Sequence, residues 1–281
     1  MITDQGQKVS ALWSRLAVTA DGAFAFLKDR GIAPDTAQAD DLHAIDMIHM
    51  GGVAATDKLA ALAGITAGQH VLDVGSGVGG PARRLASRFG ADVCGIELSE
   101  ALHGTGETLT RLVGLAGSVR HVRGNALSFP FEDAIFDAVI MQHVAMQIDE
   151  KDRLFAELAR VIKPGGCLAL HELFSGAGKI HYPLPWATEP SMSALEPIDA
   201  CTSRLAGLGF TVGPFTDESE EGRLYHASNV AAYDRALAAD EGALGLTVDA
   251  TKVRRAASAA MEHNLASGSI KVGLLVARRV A

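Results

Sequence analysis

Hydrophobic positions in this chain follow two periods. As far as about Leu62 they recur at helical spacing. Val9, Leu12, Trp13 and Leu16 share one face, and Phe24 with Leu27 marks a second short helix. Asp35 to Asp41 is a polar link, after which "LHAIDMIHMGG" leads into a helix around Thr56 to Ala63. From there short apolar runs alternate with helical ones. Strands are predicted at His70–Val74, Asp92–Ile96, Val119–Arg123, Phe136–Met141, Gly166–Glu172, Phe210–Phe215 and Ile270–Arg278. Helices are predicted at Pro81–Phe89, Ser99–Leu115, Lys151–Ile162 and Ala194–Leu208. Pro81 sits well in the first turn of its helix, and "KPGG" at Lys163–Gly166 ends one element and starts the next. Such alternation predicts an α/β fold with a parallel sheet covered by helices on both faces. About fifty residues, Thr216 to Ser269, separate the last two strands and carry helical patterns near Leu224–Ala239 and Val248–Leu265. They read as a helical insertion that caps one sheet edge or enters homo-oligomer contacts.

Charge narrows the partners. The chain has 281 residues, with 25 basic against 33 acidic side chains and a net charge of −8. No basic run reverses that balance, which argues against nucleic acid as a partner. The start, "MITDQGQK", has no apolar run, so no signal peptide is expected. The uncharged apolar stretch Ala138–Ile148 is too short for a membrane span, which needs about 20 residues. These features predict a cytoplasmic protein that does not engage a membrane. Cys94, Cys167 and Cys201 form no C-x-x-C pair and read as buried reduced thiols.

Candidate chemistry begins at "VLDVGSGVGGPARRL", Val71 to Leu85, where a strand ends in a glycine-rich turn before a helix. Gly75, Gly77 and Gly80 satisfy G-x-G-x-x-G, a turn through which backbone approaches a ligand closely. Glu97 ends the second strand, where a carboxylate can accept from both hydroxyls of a ribose. At this point NAD and other adenosine cofactors fit equally. Asp73, two residues before the loop, would repel a pyrophosphate. S-adenosylmethionine carries no phosphate and has a net charge of +1, so an acidic site attracts it.

The combination of "VLDVGSGVGGPARRLA", "GIELSE", "GNALSFPFEDAIFDAVIMQHV" and "ELARVIKPGGCLAL" resembles class I S-adenosylmethionine-dependent methyltransferases in order and spacing over roughly Ala60 to Leu170. The general likeness is to small-molecule enzymes such as glycine/sarcosine N-methyltransferases and natural-product sugar O-methyltransferases. "IHMGGVAATDKLA" and "HYPLPWATEP" resemble a bacterial subgroup. The resemblance implies a Rossmann-like sheet of order 3-2-1-4-5-7-6 with the last strand antiparallel. It implies that Asp73, Gly75, Ser76, Gly77 and Gly79 cradle the methionyl part and that Glu97 holds the ribose. Leu98, Asn125 and Ala126 would meet the adenine, with Asn125 standing where the family usually has Asp, and Gln142 would border the cofactor. On this reading residues 1–55 form an N-terminal helical lid, with His49, Met50 and Gly51-Gly52 closing over the methionyl end. Residues 56–281 form the methyltransferase domain, with its insertion at about 216–269.

In that strand order the ligand crevice opens between strands one and four, so the methyl group faces the end of strand four, Met141-Gln142-His143. A His near its ordinary pKa supplies a neutral base there. Related sugar enzymes carry His where this chain has Gln147, and an acid at the end of strand five, matched by Glu172. His143 with Glu172 is therefore the candidate catalytic pair, against a packing role for His143. Metal-dependent relatives need acids at the end of strand four; "MQH" has none, so no metal is expected. Tyr182 and Trp186, in the loop after strand five, either stack on a small-molecule substrate or pack the loop against the N-terminal helices. The expected activity is methyl transfer to oxygen or nitrogen of a small molecule. Two other classes stay open: a fold that binds the cofactor as a module or serves a non-methylation reaction, and an NAD-dependent oxidoreductase, against which Asp73 and "KPGG" speak.

Overall fold

A computed structural model describes residues 4–243 and 246–280. Helices α1 (Asp4–Leu16), α2 (Ala20–Asp29), the one-turn α3 (His43–Asp46) and α4 (Gly52–Ala63) precede the sheet. On α1, Val9 and Leu12 are buried and Trp13 is half-buried; the side chain of Leu16 lies outside the described residues. Then follow β1 (His70–Val74), α5 (Gly80–Phe89), β2 (Asp92–Glu97), α6 (Glu100–Leu112), β3 (Val119–Arg123), β4 (Phe136–Gln142), α7 (Lys151–Val161) and β5 (Ile162–Ser175). The chain continues through α8 (Ile198–Gly207), β6 (Phe210–Val212), β7 (Thr216–Asp217), α9 (Ser219–Ala238), α10 (Val248–Ser267) and β8 (Ile270–Arg279).

The strands order as β3-β2-β1-β4-β5-β8-β6, with β7 also paired to β8. β8 is antiparallel to β5, β6 and β7, and the pairs from β3 to β5 are parallel. This is the expected order, with the last strand counted eighth because Thr216–Asp217 adds a short extra one. Gly213 and Pro214 end the predicted strand 210–215 at Val212, since Pro has no N–H for a ladder, and pairing resumes only at Thr216. The fifth strand starts earlier than expected: Ile162 already pairs with Phe136, and the chain bulges through Pro164 and Gly165 before Cys167 pairs with Ala138. Helix α8 starts after Pro197 rather than at Ala194, because the residue before a proline avoids helical backbone.

Period-2 alternation divides the core. Leu72, Val74, Cys94 and Ile96 face α7 and α8 through Leu154, Phe155, Leu158 and Leu205. Val71, Val93, Ala138 and Ile140 face α4 and α5 through Leu59, Ala60, Leu85 and Ala86. Burial pushes the thiols of Cys94 and Cys167 up to about 11 and that of Cys201 up to about 12, so all three stay protonated at neutral pH. No described helix is long and apolar enough to cross a membrane. Where α3 meets α5, the fully buried Arg83 donates to Asp46 at 2.8 Å and to the Thr110 hydroxyl at 3.1 Å.

Candidate cofactor and acceptor site

A cavity of about 290 Å³ opens over the carboxyl ends of β1, β2 and β4 and runs under α1 toward α9 and α10. At its floor β1 gives way to Gly75-Ser76-Gly77. Gly75 has φ +67°, and a Cβ there would lie 2.5 Å from Val144 Cγ2, so only glycine lets this loop meet the turn after β4. The amides of Gly75 and Ser76 donate to the Ile96 carbonyl, tying the loop to the end of β2. Glu97 accepts from the Gly77 amide at 3.0 Å and the Ser99 amide at 2.8 Å. Burial raises its carboxyl, while those amides pull the other way.

Asp73 is 2% exposed, and its Oδ2 and the Ser76 hydroxyl are sealed without partners. Burial, and then the nearby Glu97 charge, push Asp73 up to about 7. Among the described residues Arg254, on α10, is the sole lysine or arginine lining the cavity; Asp46, Asp73 and Glu97 lie at the loop end. An acidic floor with unsatisfied acceptors suits the ammonium and sulfonium of S-adenosylmethionine and repels a pyrophosphate. A carboxyl half-protonated near neutrality must lose its proton to meet an ammonium. Cofactor affinity is therefore expected to rise between about pH 6 and 8, with proton release. Calorimetry in buffers of different ionisation heats reads this directly, and Asp73→Asn should abolish the dependence.

Leu98, Asn125 and Ala126 line the cavity beyond Glu97. The Asn125 Oδ1 accepts from the Leu127 amide at 2.9 Å, so this side chain also shapes its own turn. Gln142 accepts from Thr56 at 3.2 Å, and its buried Nε2 has no partner. Gly79 lies behind the loop as the N-cap of α5 and does not line the cavity.

The end of β4 differs from the expected pairing. His143 lines the cavity and has φ +58°, a strained value for a residue with a side chain. Glu172 does not reach the cavity. Its Oε1 accepts from the amides of Val144 at 2.8 Å and Ala145 at 3.0 Å, beneath the turn that carries His143. Strand alternation turns His171 to the opposite side, and it is the His171 ring that lies 4.9 Å from that of His143, centroid to centroid. Lys151 supports the same turn, donating to the carbonyls of Ala145, Ile148 and Ala194 at 2.5, 2.5 and 2.7 Å.

Burial pushes the Glu172 carboxyl up to about 7. A carboxyl raised on folding stabilises the fold below its unfolded value of about 4.5, and that contribution fades as pH rises through about 7. Unfolding free energy should thus fall by on the order of 2–3 kcal/mol more in the wild type than in Glu172→Gln between about pH 5 and 8. Denaturant titrations at both pH values check this; parallel losses in the two proteins would place the carboxylate charge elsewhere.

The other arm of the cavity is walled by Leu12, Met50, Met146, Leu184, Trp186 and Met261. Trp186 is buried there and donates to Ser193 at 3.3 Å, whereas Tyr182 packs behind the wall and does not line the cavity. Polar groups on this side come from the insertion: Tyr225, His226, Asn229, Tyr233 and Ser258. Sequence reasoning passed over them because α9 and α10 show no chemical motif, only a helical pattern. Helix α1 closes the top, with Trp13 donating to Gln147 at 2.5 Å and Ser14 bonded to Ser99 at 2.7 Å.

Residues 72–170 match the family profile described as "Methyltransferase domain". The sterol 24-C-methyltransferase of Eremothecium gossypii is 40% identical over 114 residues, 41% of this chain and 31% of that protein. The O-methyltransferase resE of Aspergillus sclerotiorum is 32% identical over 170 residues, 58% of this chain and 62% of its relative. The chain thus spans about a third of the length of the sterol methyltransferases it matches. The solved geranyl diphosphate C-methyltransferase of Streptomyces coelicolor A3(2), in complex with Mg2+, geranyl diphosphate and S-adenosyl-L-homocysteine, superposes with a TM-score of 0.69 at 21% identity, covering 99% of this chain and 98% of that one. That likeness concerns the fold. Residues 72–170 thus match a methyltransferase domain, and the strand order of the sheet is the one that the resemblance to class I S-adenosylmethionine-dependent methyltransferases implies.

Proposed function

We propose that the protein transfers the methyl group of S-adenosylmethionine to an oxygen or nitrogen atom of a small, largely apolar acceptor. The observation that carries this reading is one continuous cavity with an acidic floor at Asp73 and Glu97, an apolar far wall at Trp186 and Met261, and His143 between them. When bound, the cofactor supplies an electrophilic methyl on a sulfonium. The remaining work is alignment and dehydration of the acceptor, for which effective molarities reach about 10⁵–10⁸ M. The Gly75–Gly77 loop and Glu97 orient the donor, and the wall formed by Met50, Met146, Trp186 and Met261 excludes water from the acceptor side. His143 takes the acceptor's proton, while Glu172 and Lys151 fix the turn that presents it. The N-terminal stretch to about residue 55 forms the roof over both ligands.

The same apolar wall suits an alkene carbon, as the names of the sterol and prenyl relatives suggest. The test is a purified-protein assay with isotope-labelled methyl donor and metabolite extracts, read by mass spectrometry, with NMR to locate the label. Label on oxygen or nitrogen supports the proposal, and label on carbon selects the second reading. Cofactor binding without any labelled product would mean a binding module or a non-methylation reaction.

A further inference from the structure

We propose that the acceptor is an amphiphilic acid, with its carboxylate held by Arg254 near the mouth of the cavity and the atom to be methylated about 10 Å further in, beside His143. This inference names the substrate class of the methyl-transfer reading and rests on it.

Contacts between α9 and α10 fix their register as an antiparallel pair. Arg255 donates to Asp234 at 2.9 Å, Arg223 lies 3.8 Å from Glu262, and a Cβ at Gly222 would press on Leu265. The same register sets His226 abreast of Met261, Asn229 abreast of Ser258 and Tyr233 abreast of Arg254. All six line the cavity. They recur every three or four residues on each helix, so each set shares one face, and the three pairs stand one turn apart. The Tyr233 hydroxyl accepts from Arg254, which joins the last pair directly.

The pairs differ in chemistry. The inner one is deep: His226 is 5% exposed, Met261 is fully buried, and His226 lies close enough to His143 to lower its basicity. The middle pair offers an amide and a hydroxyl. The outer pair offers a guanidinium beside a buried phenol, next to Val253, which lines the cavity and is 48% exposed. His226 to Tyr233, and Met261 to Arg254, are each seven residues, about 10 Å along a helix. The acceptor arm thus runs from an imidazole at its inner end to a cation near its mouth.

Charge is graded in the same sense. Among the described residues lining the cavity, the carboxylates Asp46, Asp73 and Glu97 lie at the loop end, and Arg254 is the sole lysine or arginine. Its neighbours Arg223 and Arg255 pair with Glu220 and Asp234 and do not line the cavity. An anionic group is therefore repelled from the loop end and drawn to Arg254, which turns the acceptor one way round. One guanidinium balances one carboxylate and offers its fork of donors to both oxygens. A diphosphate would bring further charge, for which the described lining has no second cation. The apolar wall takes the body of the molecule. A mere tie between α9 and α10 through Tyr233 would need neither a positive charge nor a place on the cavity face.

The test is calorimetric titration of the full chain, saturated with S-adenosylhomocysteine, with four probes that share one apolar chain: octanoate, 1-octanol, octylamine and octyl phosphate. Octanoate is expected to bind about tenfold or more tightly than octanol, the worth of a charge-assisted contact, and more tightly than the other two. Arg254→Met should bring octanoate down to the level of octanol while affinity for octanol and S-adenosylhomocysteine holds. Tyr233→Phe, which removes the tie and keeps the cation, should retain the preference, as should Arg255→Met. Equal affinity for octanoate and octanol in the wild type, tighter binding of octyl phosphate, or no binding of octanoate overturns the proposal, and none of these depends on a variant that folds. So does an Arg254→Met protein that keeps the preference, or one that loses S-adenosylhomocysteine affinity to the same extent. No turnover is required. A preference for octanoate without labelled product from any extract would sink methyl transfer and leave the carboxylate site standing; labelled product without the preference would do the reverse.

Discussion

Replacing His143 by alanine is expected to lower kcat of methyl transfer about 10²–10⁴-fold, the usual worth of a positioned general base. Binding of S-adenosylhomocysteine should hold, because the ring stands beyond the loop that Glu97 secures. The pH profile carries more information than the rate. A His near its ordinary value would give a rate that climbs through neutrality, as the sequence alone suggests. Burial, followed by His171, His49 and His226, pushes His143 well below that value. The neutral base form therefore persists through the whole neutral range, and the wild-type rate should be flat there and fall on the acid side only. Loss of stability with unchanged kcat would make His143 a packing residue. Near-normal kcat with normal stability would mean an acceptor that needs no base, such as a thiolate or a neutral amine.

Glu97→Ala is expected to weaken S-adenosylhomocysteine binding by two orders of magnitude or more, since two charge-assisted bonds to a ribose are worth about 1.5–3 kcal/mol each. The loss has a second source: the Gly77 and Ser99 amides would be left without their acceptor, and the glycine loop without its brace. Calorimetry on the folded variant measures both together, and Glu97→Gln, which keeps one acceptor oxygen, should fall between. Unchanged affinity would reject the ribose assignment. NAD should give no binding heat with the wild type, because its pyrophosphate would face the Asp73 side of the loop.

The cofactor half was legible in the chain because its determinants are local. A strand, an acid, three glycines and a helix lie within about fifteen residues, and Glu97 closes the next strand. The acceptor half was not. The sequence places His143 at the end of β4, where it lines the cavity, and pairs it with Glu172, which does not line it. Glu172 and His171 are adjacent in sequence and point to opposite sides of one strand, so a single step in register exchanges a carboxyl that accepts from buried amides for a ring beside His143. His226, Asn229 and Met261 reach the cavity from an insertion whose helices offer period but no motif. Trp186 and Tyr182 lie four residues apart, and only the path of the loop decides that one lines the cavity and the other stands behind it.

The ion pair between Arg83 and Asp46 pins the segment before α4 to α5. Both side chains are about 1% exposed, and the guanidinium has no route to water. A motion that carried residues 43–51 away would strand that charge, at a cost of about 3–5 kcal/mol. A state disfavoured to that extent would be populated in fewer than about one molecule in a hundred. Among the described residues helix α1 shows no buried ion pair of this kind; hydrogen bonds from Trp13 and Ser14, the Asp149 amide bonded to Gln5, and the buried faces of Val9 and Leu12 contribute to holding it. If ligands exchange by a motion of the roof, the 13 residues of α1 are expected to move and the segment behind them to stay. Cofactor and product release rates should respond to changes at the Trp13–Gln147 contact and ignore those in the segment behind it.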